Sequence, residues 1–237
     1  MALAETDKFI AITEQAKEVL IAEGADPKKI VRLNPGVDLN IFRPFRGRGD
    51  MRGIGDTGGK GVRLITVGRL VPEKGIAEMV ETFKKLRQKY PNLEFTVVGS
   101  GPLKNVLDVP GITRLSNVKF ADMPEIYSSA DIYLHYPIGS KTWLEQYGFV
   151  LVEAMACGLP VVALDKGSTR EVVGDGGRVV SAGEFGPAVE NLIKNTAERK
   201  SLAITALEYA KKNYDVRNYS RNLEKIFLKE LSVDRPG

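Results

Sequence analysis

From Val62 to the end of the chain, short apolar runs alternate with segments that carry apolar residues at helical spacing. The first run, 62–67, reads Val-Arg-Leu-Ile-Thr-Val, and the segment at about 75–89 places Met79 and Phe83 on one helical face. Strands that alternate with amphipathic helices are typical of a parallel sheet covered by helices on both faces. We therefore predict an α/β domain with a Rossmann-like parallel sheet of about six strands.

The same pattern assigns the remaining elements of this domain. The predicted strands after the first lie at 93–98, 117–121, 131–135, 160–164 and 177–180. The predicted helices after the first lie at about 102–108, 123–129, 149–157, 169–173, 184–195, 197–212 and 216–230. Ligands of such sheets bind at the carboxyl ends of the strands. The glycines that follow these strands therefore mark the edge where we expect a site.

The first 43 residues do not fit into this sheet. They contain predicted strands at 8–12 and 30–33 around a helix at about 14–22, for which Thr13 is the N-cap residue. A run of turn-forming residues follows at 34–38. We interpret residues 1–43 as the tail of a missing N-terminal domain together with an interdomain connection.

The next stretch, 44–61, is rich in glycine, and from residue 46 onward it has almost no residue that a core could bury. Such compositions order poorly, so we predict a flexible loop. The alternative, an RNA-binding Arg-Gly tract at 46–61, is short and lacks aromatic residues on which bases could stack. The chain is then completed by the sheet domain at 62–230 and a C-terminal tail at 231–237.

The charge balance, the single cysteine and histidine, and the lack of long apolar runs limit the functions that this chain can have. Lys and Arg total 34 against 30 Asp and Glu, and this excess is too small to predict a nucleic-acid partner. The single cysteine, Cys157, is interpreted as a buried thiol, and the single histidine, His135, as a packed or substrate-touching residue. One histidine and one cysteine argue against a protein metal cage, so we predict no metal site. With no long apolar run and no signal-peptide core, we expect a cytoplasmic location.

The stretch 145–160 carries the densest functional signal. Gly148 opens an apolar helical pattern, and a helix N-terminus offers free backbone N–H groups to an anion. Glu145 precedes this glycine, and Glu153 follows it by about 7.5 Å along a helix. Carboxylates accept hydrogen bonds from hydroxyls. The stretch therefore suits a ligand in which an anion lies between two hydroxyl-bearing groups, as in a sugar, diphosphate and ribose.

Two cations follow the first predicted strand of the sheet. Arg69 comes directly after Gly68, and Lys74 precedes Gly75, where a helix is predicted to begin. Arg can bind phosphate oxygens in a fork and Lys supplies a mobile charge, although solvated Arg and Lys are common in loops. Because the sequence has no Asp-x-Asp triplet to hold a metal diphosphate, any bound diphosphate must be neutralised by these cations and by helix amides.

A second glycine turn, Val98-Gly99-Ser100-Gly101-Pro102, follows the next predicted strand. It lacks the third glycine of the dinucleotide-binding fingerprint, and glycine turns of this kind usually serve only to connect a strand to the next element. Its position makes it suitable as a wall for a nucleotide base.

Taken together, these motifs resemble the retaining glycosyltransferases of group 1 (family 4), which have the GT-B fold. The resemblance covers about 62–230, and residues 8–43 resemble the connection between the two domains of that family. It rests on Gly68-Arg69 with Lys74-Gly75, on Val98 to Pro102, and on the run from Glu145 to Ala163. The resemblance implies the C-terminal, donor-binding domain of a hexosyltransferase. The acceptor, a sugar or a lipid, would then be bound by the missing N-terminal domain.

The resemblance also implies residue roles. Arg69 and Lys74 would hold the diphosphate of a nucleotide sugar. Glu145 would contact the transferred sugar, and Glu153 would accept the ribose hydroxyls. We take Arg69, Lys74 and Glu145 as the catalytic residues. The other predicted donor-binding residues are Gly68, Gly99, Ser100, Gly101, Met123, Tyr147, Gly148, Phe149 and Val150.

The family works without a metal or a cofactor, and peripheral membrane association of the full-length protein stays open. One segment departs from the family pattern, because 137–144 is longer than the usual link before the first glutamate. Lys141 and Trp143 lie in this link and are candidates for setting sugar specificity. Two alternatives also remain. A nucleotide-sugar epimerase-type enzyme would convert a nucleotide sugar without an acceptor, and a non-catalytic module would only bind one.

Overall fold

The computed structural model describes residues 5–45, 61–140 and 143–233 of the chain. The predicted flexible loop therefore lies almost entirely outside the described residues, and Lys141 lies outside them too. The described residues form a small two-stranded unit, which we call the N-terminal unit, followed by a larger parallel sheet, the main sheet.

The elements of the N-terminal unit are β1 (Phe9–Ala11), α1 (Glu14–Ala22) and β2 (Ile30–Arg32). The two strands pair in parallel, and α1 connects them. As predicted, Thr13 caps α1, since its hydroxyl oxygen accepts a hydrogen bond from the Ala16 amide at 3.1 Å.

The strands of the main sheet are β3 (Arg63–Val67), β4 (Glu94–Val98), β5 (Ile112–Leu115), β6 (Ile132–His135), β7 (Val161–Leu164) and β8 (Gly177–Val180). All neighbouring strands pair in parallel, in the order β5-β4-β3-β6-β7-β8. The chain therefore changes its winding direction between β3 and β6. In doubly wound sheets, ligands bind at the carboxyl edge beside such a switch point.

The helices around the main sheet are α2 (Ile76–Lys89), α3 (Met123–Ser128), α4 (Phe149–Ala156), α5 (Thr169–Val173), α6 (Ala182–Lys194), α7 (Thr196–Asn213) and α8 (Val216–Val233). Helices α2 and α6 pack on one face of the sheet, against residues such as Leu64. Helices α3, α4, α5 and α7 pack on the other face, against residues such as Ile65. Successive strand residues thus enter opposite cores, and the predicted Rossmann-like sheet with helices on both faces is confirmed.

One strand prediction is wrong. Residues 117–121 form irregular chain and the start of a 3-10 helix, and the strand in this part of the sheet is β5. Because β5 lies at the sheet edge, Thr113 and Arg114 are exposed, and the strand has no strong apolar pattern. The apolar residues Val118 and Phe120 follow β5, and together with the polar residues next to them they give the alternating apolar and polar pattern that is typical of a strand.

Smaller differences concern the ends of helices. The predicted helix at 102–108 is a 3-10 helix over Pro102–Leu107, and α6 begins two residues earlier than predicted. Helix α8 continues to Val233, so the predicted C-terminal tail begins inside a helix. The rest of that tail, 234–237, lies outside the described residues.

Polar contacts attach the N-terminal unit to the main domain. The Arg32 guanidinium forms an ion pair with Glu171 of α5, and the same carboxylate accepts a hydrogen bond from the Glu14 amide at 2.9 Å. The hydroxyl of Tyr147 donates a hydrogen bond to the carbonyl of Pro35. These contacts bring β2 and the following turn close to the start of α4.

Candidate functional site

The turns after β3 and β4 lie side by side at the carboxyl edge of the main sheet. The Gly68 amide donates to the Val98 carbonyl at 2.9 Å, and the Leu70 amide donates to the Ser100 carbonyl at 2.9 Å. Gly99 has a φ of 147°, and a Cβ atom at this position would collide with the Gly68 carbonyl oxygen. Glycine is therefore required where the two turns meet.

Lys74 is placed by a second close approach of the backbone. It ends a 3-10 turn, and Gly75 then adopts a φ of 62° before α2 begins. A side chain on Gly75 would collide with the carbonyl oxygen of Tyr136, the residue after β6. The turn after β3 is thereby held against the end of β6, across the switch point.

A mostly buried ion pair forms there. Lys74 Nζ donates a hydrogen bond to Glu145 Oε2 at 2.5 Å, and the two side chains are 18% and 9% exposed. The same ammonium lies 4.5 Å from the centre of the Trp143 ring, which is a cation–π distance. Together with His135, these residues make up the Lys74 cluster. Trp143 belongs to the segment 137–144, so this segment contributes directly to the cluster.

His135 is the last residue of β6 and its side chain is 5% exposed. Its Nε2 atom points at Glu145 Oε2 from 3.5 Å, and it has no hydrogen-bond partner in the part of the chain that the structure describes. Burial lowers the pKa of His135 below its ordinary value, against the opposing effect of Glu145. The ring is therefore neutral at pH 7.

Glu145 stays ionised in this environment. Burial by itself would raise the pKa of Glu145. The His135 Nε2 atom that faces the carboxylate from 3.5 Å and the Lys74 ammonium stabilise the charged form, outweigh burial and lower the pKa to about 2. The site thus holds a permanent carboxylate, with an ammonium on one side and a neutral imidazole on the other. Such a carboxylate is an acceptor for hydroxyl groups.

Helix α4 begins beside Glu145, after Gly148 turns the chain with a φ of 77°. No side chain among the described residues caps this end of the helix. The amides of Phe149 and Val150 are therefore positioned like those of other helix N-termini that bind anions.

The second glutamate, Glu153, lies on α4 and is only partly exposed. Its Oε2 accepts a hydrogen bond from the buried hydroxyl of Tyr127 at 2.7 Å. Burial raises the pKa of Glu153, and the Tyr127 hydrogen bond opposes this shift. The two glutamates accordingly flank the start of α4, as the sequence predicts.

The other predicted site residues differ in their exposure. Arg69 is exposed at the end of β3, and in the described ranges it has no ion pair. Met123 and Tyr147 are buried, and the Tyr147 hydroxyl is already bonded to Pro35. Phe149 is exposed at the first turn of α4 and packs against the Tyr147 ring.

Two contacts of the site are absent from the sequence prediction. These are the approach of His135 to Glu145 and the hydrogen bond from Tyr127 to Glu153. The only sequence signal for the first is that His135 ends a predicted strand.

Among the described residues, no group of three or more His, Cys, Asp and Glu is arranged to hold a metal ion. Nor does any described helix have the length and apolar character needed to cross a bilayer.

The model of the family described as "Glycosyl transferases group 1" matches residues 61–195. The D-inositol 3-phosphate glycosyltransferases of Mycobacterium tuberculosis and Mycobacterium bovis are 33% identical to this chain over 213 residues. The match covers 80% of this chain and 42% of each relative. The chain belongs to the group 1 glycosyltransferases. It spans less than half the length of these curated relatives.

Solved structures also share the fold of this chain. Anabaena HepE in complex with UDP and glucose superimposes with a TM-score of 0.79 at 21% identity, over 95% of this chain and 64% of HepE. Sucrose-phosphate synthase of Thermosynechococcus elongatus gives a TM-score of 0.80 at 18% identity, over 98% and 60% of the two chains. At these identities the similarity establishes the fold.

Proposed function

We propose that this chain is the C-terminal, donor-binding domain of a retaining hexosyltransferase of family 4. It would bind a nucleoside-diphosphate sugar, whose hexose passes to a sugar or lipid acceptor. The observation that carries this proposal is the Lys74–Glu145 pair beside the uncapped start of α4, at the switch point of the main sheet. Membership of the group 1 glycosyltransferases supports it, as does the UDP and glucose bound by the HepE structure.

The diphosphate is assigned to the positive side of the site. Arg69 is exposed and unpaired within the described residues, and the amides of Phe149 and Val150 begin α4. Lys74 has three N–H donors, so it can hold Glu145 and still donate to a phosphate oxygen. During transfer the leaving diphosphate gains negative charge, and Arg69 and Lys74 would stabilise that charge without a metal ion.

The hydroxyl groups are assigned to the two carboxylates. Glu145 would accept hydrogen bonds from the transferred sugar, next to Lys74 and Trp143. Glu153 would accept hydrogen bonds from the ribose, with Tyr127 holding its carboxylate in place. The glycine turn around Ser100 and the region of Met123 would flank the base.

The remaining assignments concern the whole protein. We assign residues 1–43 to the end of an acceptor-binding N-terminal domain and the interdomain connection, and the protein to the cytoplasm. Peripheral membrane contact of the full-length protein is compatible with a lipid acceptor. The 237-residue chain by itself is expected to bind a donor without transferring the sugar.

Isothermal titration calorimetry with UDP, GDP, ADP and their glucose conjugates tests the proposal. One nucleotide should bind saturably, and Lys74→Ala and Glu153→Ala should each weaken it by about tenfold or more. Glu153→Ala should leave pyrophosphate binding unchanged, because it contacts only the ribose. Lys85→Ala, an exposed residue of α2, is the matched control. Absence of binding by every nucleotide, or equal binding by all variants, would refute the proposal.

A further inference from the structure

A second concave surface lies between the N-terminal unit and the last two helices. It has a volume of about 600 Å³ and shares no residue with the predicted donor site. Its cationic residues are Arg32 from β2, Lys212 from α7, and Arg221 and Lys225 from α8. We call this surface the α8 pocket.

The charged residues that line the α8 pocket are all positive. None of the described residues that line it is acidic, and asparagine side chains provide most of the remaining polar groups. Four positive charges from three separate elements therefore face one cavity. Like charges so arranged repel each other, and a bound anion would remove that repulsion.

Most of these charges are not neutralised elsewhere. Lys212 and Lys225 form no ion pair in the described part of the chain, and Glu208, one turn before Lys212, is paired with Lys211 at 2.8 Å. Arg221 bonds only to neutral oxygens, such as the Asn218 side-chain oxygen at 2.9 Å.

One hydrogen-bond donor of the Arg32 guanidinium is not used. One of its terminal nitrogens pairs with Glu171, and the other donates to the Asn34 side-chain oxygen at 2.5 Å. Its Nε atom is buried and has no hydrogen-bond partner among the described residues. Buried donors are nearly always satisfied, so this atom indicates a missing acceptor.

We propose that the α8 pocket binds the phosphate group of an anionic ligand, at a site separate from the donor site. Phosphate oxygens match both the fork of an arginine and the point charge of a lysine. The asparagines supply neutral donors and acceptors for hydroxyls next to the phosphate. Because cations from three elements line one cavity instead of an extended groove, it suits a compact phosphate ester better than an extended polymer.

The phosphate has two possible sources. It can belong to a free phosphate ester, or to the headgroup of an anionic lipid. The second source has its own structural basis, since α8 continues past Lys225 with Phe227, Leu228 and Leu231 exposed. An amphipathic helix with basic and apolar residues of this kind can lie on a membrane surface.

Calorimetry with inorganic pyrophosphate in low-salt buffer tests the pocket, with every measurement made on the Lys74→Ala background to weaken binding at the donor site. Any binding that remains at the donor site is common to this parent and to the pocket variant, so the difference between them reports the α8 pocket. Binding should be saturable, and Lys212→Ala/Lys225→Ala should weaken it by about tenfold. Lys85→Ala is the control and should leave it unchanged. Both pocket lysines are exposed and unpaired in the described chain, so circular dichroism should show an intact fold.

Flotation with phosphatidylglycerol and phosphatidylcholine vesicles separates the two sources. Pyrophosphate binding that the double variant weakens assigns a free phosphate ester. Binding to phosphatidylglycerol vesicles alone, lost in the double variant, assigns a lipid headgroup. If neither ligand binds, or if the double variant binds as well as its Lys74→Ala parent, the α8 pocket is not an anion site. Neither result would affect the donor-site proposal, whose calorimetric test uses Lys74 and Glu153.

Discussion

Lys74 and Glu145 lie 71 residues apart in the chain, yet the ammonium of one donates a 2.5 Å hydrogen bond to the carboxylate of the other. This contact joins the turn after β3 to the segment between β6 and α4, so it bridges the two halves of the main sheet. Both side chains are mostly buried. The same two residues thus hold two distant segments together and form the predicted centre of the donor site.

Loss of one partner should destabilise the fold. Lys74→Ala leaves Glu145 as an uncompensated buried charge, and we expect the free energy of unfolding to fall by about 3 kcal/mol. Urea denaturation measures this change. The control is Lys84→Ala, which removes the exposed Lys84–Glu81 pair and should cost less than about 1 kcal/mol. Equal losses in the two variants would show that burial does not strengthen the Lys74–Glu145 pair.

Acid should weaken the same pair. The pKa of Glu145 is about 2 in the folded chain, below the ordinary value of 4.5. A lowered folded pKa gives stability that is complete above the unfolded value and is lost as the pH falls towards the folded value. The stability advantage of the native chain over Glu145→Gln should therefore shrink by about 3 kcal/mol between about pH 5 and pH 2.

Unfolding curves of the native chain and of Glu145→Gln at a series of pH values measure this difference in the free energy of unfolding. Every other carboxylate is common to the two proteins, so the difference between them reports the Glu145 carboxylate together with its coupling to His135. A difference that stays constant over that range would contradict the lowered pKa.

The main sheet could be predicted from sequence because nearly every strand is a short buried run followed by a helix with one apolar face. The exception, β5, is an edge strand with Thr113 and Arg114 exposed, so its pattern is weaker than that of the irregular residues after it. Register and strand order depend on packing between distant segments. Local periodicity does not contain that information.

The individual residues of the site could be predicted better than their contacts. Lys74 and Glu145 follow strands at a predictable edge of the sheet, and their residue types suit phosphate and hydroxyl groups. The approach of His135 to Glu145 depends on where the chain after β6 places Glu145. No residue spacing specifies that geometry. The α8 pocket has no signal in the sequence for the same reason, because its cations come from three elements that meet only in the folded chain.

His135 should titrate below its ordinary pKa. Burial disfavours the charged ring and lowers the pKa of His135, so protonation is harder in the folded chain than in the unfolded chain. Because His135 is the only histidine, a tag-free sample should give one imidazole signal in a carbon–proton NMR spectrum. Its midpoint should lie below pH 6.5, and a midpoint at or above that value would contradict the buried neutral ring.

The same shift has a consequence for stability. A histidine that is held neutral in the fold makes the folded state less stable as the pH falls below about 6.5, because the unfolded chain takes up the proton first. The melting temperature of the native chain should therefore decline between about pH 7 and pH 5, and His135→Gln should reduce that decline. If the two proteins lose stability in parallel, other groups are responsible.

Gly99 should tolerate no side chain. Its φ of 147° is unfavourable for other residues, and a Cβ atom would meet the Gly68 carbonyl oxygen, which belongs to rigid backbone. We expect Gly99→Ala to lower the free energy of unfolding by at least about 1–3 kcal/mol, the usual range for a strained backbone position. The matched control is Gly183→Ala in α6, where no atom lies within 4 Å of the new methyl group. Alanine favours helices, so this control should be neutral or stabilising by up to about 1 kcal/mol. Urea denaturation compares the two variants, and similar stabilities would mean that the turns after β3 and β4 do not pack as closely as described.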